Sequence, residues 1–81
     1  MHTVYTLSAN ASGWYYVGWG SDPGVRVVVP KPEHGSGHGH ALEYSDHYVE
    51  IRENGDWRYW IKVTNKKSEE AHFRIRWSKE L

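Results

Sequence analysis

The chain reads as all-β: a single small antiparallel β-sandwich or partly open barrel of about six strands, with one long glycine/histidine-rich loop. Three observations predict this. Side chains alternate with a period of two along most of the chain. The alternating segments are short and bounded by Gly, Pro, Asn and Asp. No segment sustains the i, i+3, i+4 spacing of an amphipathic helix. A chain of 81 residues suits one domain over positions 1–81, and strands this short need two packed layers to bury their apolar faces.

The first strand is expected near 3–9, "TVYTLSA", with Tyr5 and Leu7 on one face and Val4 and Thr6 on the other. "NASG" follows as a turn. The second, near 14–19, is "WYYVGW": alternation sends Trp14 and Tyr16 one way, Tyr15 and Trp19 the other. "GSDPG" closes it. The third, near 25–30, is "VRVVVP", β-branched and apolar enough to be covered on both sides. Pro30 and Pro32 end it, because neither can donate to a ladder.

A long loop over 31–46 comes next, containing "EHGSGHGH"; its end, "HALEYSDHY", has room for one turn of helix at most. Three strands follow near 47–53, 57–64 and 71–77. Asn54-Gly55 suits a type I′ hairpin turn, and "NKKSEE" reads as a polar hairpin loop. As a meander, this half places Val49, Ile51, Trp57, Tyr59, Ile61, Val63, Phe73, Ile75 and Trp77 on one face. Tyr48, Glu50, Arg52, Arg58, Trp60, Lys62, His72, Arg74 and Arg76 fall on the other.

With no cysteine, a small core must be reinforced by aromatic packing, a metal or a second subunit. Five Trp, six Tyr and one Phe make aromatic packing available. Ten basic and ten acidic residues cancel, so no net charge draws the chain to nucleic acid or anionic lipid. The basic residues are nonetheless uneven, only Arg26 and Lys31 lying before position 47. The start, "MHTVYTLSANASG", lacks the charged and apolar regions of a signal peptide, and no run is long enough for a transmembrane segment. These features predict a soluble chain, cytoplasmic or released without a classical signal.

Three groups of residues invite a functional reading. His34, His38 and His40, with Glu33, Glu43 and His47 nearby, supply the nitrogen and oxygen ligands that zinc or copper takes. The interleaved Gly35, Gly37 and Gly39 raise the entropic cost of ordering such a site, which favours a loop of solvated histidines. No cofactor is therefore expected. The aromatic second strand is the next group. Trp14, Tyr15 and Trp19 suit platforms that stack on the apolar face of a sugar ring. Asp22, Asn54 and Asp56 in the turns would hydrogen-bond its hydroxyls. Third, Arg52, Arg58, Trp60, Lys62, Arg74 and Arg76, together with Tyr48, resemble the mixture of rings and cations that holds single-stranded nucleic acid. Glu50 among them and the zero net charge make nucleic acid an unlikely partner.

Catalysis has little support. The serines sit mostly in turns, and Asp46-His47, being adjacent, would point to opposite faces of a strand. The expectation is a non-enzymatic binding module for a glycan or other surface ligand. The alternatives are a self-associating, toxin-like β-sandwich acting at a protein or membrane surface, and a single-strand nucleic-acid binder. A homo-oligomer is expected in any case, because aromatic residues occupy both faces of the second strand.

Overall fold

The computed structural model describes residues 3–25, 27–33 and 40–79. It is all-β: β1 (Tyr5–Leu7), β2 (Ser12–Trp19), β3 (Val27–Pro32), β4 (Leu42–Ile51), β5 (Trp57–Asn65) and β6 (Ala71–Ser78). They form two three-stranded antiparallel sheets, ordered β1-β6-β3 and β2-β5-β4, that are not closed into a barrel. The sandwich expected from alternation is therefore present. Among the described residues no helix is long and apolar enough to cross a membrane.

The expected C-terminal meander is not formed. β5 pairs with β2 and β4, whereas β6 crosses to the other sheet and pairs with β1 and β3. The reason is burial. In a flat meander Ile61, Val63 and Phe73 would lie side by side on one sheet face, unable to pack against one another from opposite layers. Crossing over puts β6 opposite β5, and all three side chains lose all contact with solvent. Around them pack Leu7, Val25 and Val28, with Tyr5, Tyr15, Trp19 and Tyr59 partly buried at the margin.

Asn65 holds the crossover. It is buried, and its Nδ2 donates to the carbonyls of Leu7 and Ser8 at 3.2 Å and of Glu69 at 2.7 Å. Its Oδ1 accepts the backbone N–H of Lys67 at 3.0 Å. One amide thus ties the end of β1 to the connection between β5 and β6 through four backbone hydrogen bonds.

Two local expectations are also corrected. The β4–β5 turn is not type I′, because only Gly55, at φ 91°, has a positive φ there. Gly55 N donates to Arg52 O at 2.9 Å and Arg52 N to Asp56 O at 2.8 Å, a three-residue loop closed by a left-handed glycine. In addition, β4 begins at Leu42, so the 31–46 loop is shorter than expected and "LEYSDHY" is strand. A β-bulge lies between Ser45 and Tyr48, with Asp46 at φ 55°.

Candidate ligand surface

The β2-β5-β4 sheet turns one face to the core and one to solvent. On β2, alternation directs Tyr15, Val17 and Trp19 inward and Trp14 and Tyr16 outward. On β5, Ile61 and Val63 point inward, so Arg58, Trp60 and Lys62 take the other face. Past its bulge, β4 presents Tyr48 and Glu50 on that outer side, opposite Trp60 and Arg58.

The result is four aromatic rings on three strands, each touching another. Tyr16 and Trp60 have ring centroids 4.8 Å apart, and Trp14 meets Tyr48 edge-on at 5.7 Å. Tyr48 and Trp60 lie nearly parallel, with 10° between planes and 6.0 Å between centroids. Trp14, Tyr16 and Tyr48 remain 48%, 41% and 51% exposed. This is a contiguous aromatic surface that the fold leaves uncovered.

Polar groups hold and rim the rings. Trp60 Nε1 donates to Glu50 Oε1 at 3.2 Å, which fixes the indole and leaves the second carboxylate oxygen of Glu50 outside that bond. The guanidinium of Arg58 sits 4.4 Å from the centroid of the Tyr16 ring, a cation–π contact. Lys62 lies opposite Trp14 in the ladder, and Ser12 and Thr64 share a hydroxyl hydrogen bond of 2.7 Å. At one end the face opens into a cleft of about 290 Å³ lined by Tyr16, Trp19, Asp56, Trp57 and Arg58.

The expected platform residues are divided by this geometry. Trp14 is on the outer face. Tyr15 and Trp19 turn to the core side, Tyr15 against Tyr5 at 4.9 Å and Phe73 at 5.1 Å, Trp19 against Trp77 at 5.4 Å and Tyr59 at 5.7 Å. Burial, then the neighbouring Tyr5, raises the Tyr15 hydroxyl pKa above its ordinary value of 10.0. Asp22 accepts the backbone N–H of Gly24 at 2.9 Å. Asn54 and Asp56 bond to each other within their turn, at 3.1 Å in both directions, and Asp56 also borders the cleft.

The basic residues do not form one face either. Arg58 and Lys62, with Trp60, lie on the outside of the β2-β5-β4 sheet, and Arg52 follows at the end of β4, 4.0 Å from Glu50. Arg74 and Arg76 lie outside the other sheet, where Arg74 pairs with Glu33. The crossover of β6 causes the split. Of the histidines, His34 and His38 lie outside the described residues. Among those described, no three His, Asp or Glu side chains converge as metal ligands. His47 contacts Val28 O through Nε2 at 3.2 Å, beside an apolar groove of about 400 Å³ between β3 and β4.

Tyr16 is the member of the face that the sequence-based candidates omit, and Tyr48 is expected there only beside the basic residues and not as a sugar platform. The signal for Tyr16 was present, since alternation already put it on the face of Trp14. Tyr48 meets Trp60 through the register that the three-residue β4–β5 loop sets. What alternation lacks is the sign of each face and the identity of the neighbouring strand.

Comparison with protein-family models, curated proteins and solved structures gives no match.

Proposed function

We propose that the protein is a non-enzymatic binding module that takes a carbohydrate on the outer aromatic face of its β2-β5-β4 sheet. The observation that carries this reading is the set of four touching rings, Trp14, Tyr16, Tyr48 and Trp60, left open to solvent by a chain short of apolar material for its own core. Rings so placed offer flat apolar area to the C–H face of a sugar. Glu50, Arg58 and Asp56 stand at the rim as hydroxyl partners of both polarities. An open sheet face holds a ligand without excluding water, which suits binding better than catalysis.

A second reading, single-stranded nucleic acid, is favoured by the position of Arg58 and Lys62 beside Tyr16 and Trp14. Zero net charge and the division of the arginines between two opposite faces weigh against it. Self-association belongs to both readings, since aromatic area of this kind also suits an interface.

Titration against a glycan array tests the first reading. Trp14→Ala and Trp60→Ala are each expected to weaken binding by roughly thirtyfold, the effect of losing about 2 kcal/mol at a hot spot. Wild-type protein that binds no glycan removes the reading. Affinity for single-stranded oligonucleotide that falls steeply with salt would install the second in its place.

A further inference from the structure

The two sheets have four edges, and three are protected. β1 is only three residues long. β3 carries Pro30 and Pro32, which cannot donate, and Lys31 between them. β4 carries a bulge and the acidic Glu43, Asp46 and Glu50. Short length, proline, charge and bulges are the devices by which sheet proteins prevent edge-to-edge pairing.

β2 has none of them. Ser12–Trp19 is eight residues of unbroken strand, with no charged residue, no proline and no bulge in its pairing with β5. Its other side has no strand partner in the sheet order, and no backbone hydrogen bond from it to another segment is found among the described residues. An uncharged strand edge of this length is a template for another strand.

We infer that the β2 edge pairs with the β2 edge of a second copy, antiparallel across a two-fold axis, joining the two three-stranded sheets into one of six strands. A second copy is the occupant that fits best, because an antiparallel edge is self-complementary under a two-fold and needs no other partner sequence. The two-fold runs through Tyr16. That register sets Trp14 opposite Gly18 of the second copy on the outer face, a large ring over a residue with no side chain. It also brings the Trp14 and Tyr16 rings of both copies onto one continuous surface. The dimer would thus carry a doubled platform, and a repeating glycan would meet it with avidity. This deepens the carbohydrate reading without depending on it, because association is measured with no glycan present.

Sedimentation equilibrium on the full chain tests the interface, with Gly18→Lys and Val49→Lys beside the wild type. A side chain at Gly18 is sterically admissible in the protomer, where an added Cβ would come no closer than 3.6 Å to any neighbour. Wild type is expected to be dimeric and Gly18→Lys to dimerise roughly tenfold more weakly or worse, as for a charge forced onto a pairing edge. Val49→Lys, on the β4 edge, should remain dimeric. A wild type that is monomeric from micromolar to millimolar concentration overturns the inference. So does a Gly18→Lys protein that associates as tightly as wild type, or a dimer lost only with Val49→Lys. Should Gly18→Lys prove unfolded by circular dichroism, hydrogen exchange on the wild type decides. Alternate β2 amides must gain protection as concentration rises, and unchanged exchange there rejects the pairing.

Discussion

Asn65 shows how much one residue can carry in a domain of this size. In the sequence it opens the polar run "NKKSEE" and looks like any turn residue. In the fold it is buried, bonding three carbonyls and one N–H across the crossover. Asn65→Ala would remove all four of these bonds at a buried position, so a loss of about 2–3 kcal/mol is expected from urea denaturation. Tyr15 makes a different prediction. Its folded pKa is raised, first by burial and then by Tyr5, so the unfolded chain ionises at lower pH than the folded one. Below pH of about 10 both states are protonated and the group contributes no pH dependence. As pH rises further the unfolded state loses its proton first, and stability falls through the folded pKa. Between pH of about 10 and that folded pKa, melting temperatures should decline less steeply for Tyr15→Phe than for wild type.

At the scale of the element, β4 shows why part of the fold escaped alternation. Leu42 and Tyr44, at even positions, share the core side of the strand before the bulge, whereas Val49 and Ile51, at odd positions, share it afterwards. The bulge sets Asp46 and His47 against Ile61 alone, so the period-two pattern changes phase within the strand. A reader of alternation sees two unrelated fragments and assigns the first to a loop. Asp46 sits at the left-handed φ the bulge requires, which Asp tolerates and a β-branched residue does not. Asp46→Gly is expected to keep or slightly raise the melting temperature, while Asp46→Val should cost about 1–3 kcal/mol. Val49 and Ile51 also depart from expectation. They occupy the predicted face, yet at the edge of the sheet they stay 48% and 59% exposed.

For the whole molecule, the limiting quantity is apolar material. The fully enclosed core of described residues is small, with Ile61, Val63 and Phe73 at its centre and no disulfide to reinforce it. Partly buried Tyr5, Tyr15, Trp19 and Tyr59 complete the packing by edge-to-face contacts. A core of this size supplies little net stability, of the order of 3–5 kcal/mol. Pairing at β2 would add to it, so the melting temperature of a dimer should rise with protein concentration. The outer rings do not serve the same end, since they face away from the β1-β6-β3 sheet.

Alternation and turn residues, both local, were enough to establish an all-β chain of six strands and, within each uninterrupted strand, which side chains share a face. Trp14 with Tyr16 follows from a period of two and nothing else, whereas Tyr48 with Trp60 also needs the register set by the three-residue loop between β4 and β5. Three things needed the tertiary structure: which face of β2 is inside, that β6 leaves β5 for the other sheet, and that Trp14, Tyr16, Tyr48 and Trp60 meet. The physical reason is the same for all three. A strand with aromatic residues on both faces carries no internal sign of inside and outside. That sign is set when distant strands pair and bury one face of each sheet, and it decides whether a tryptophan becomes core or surface.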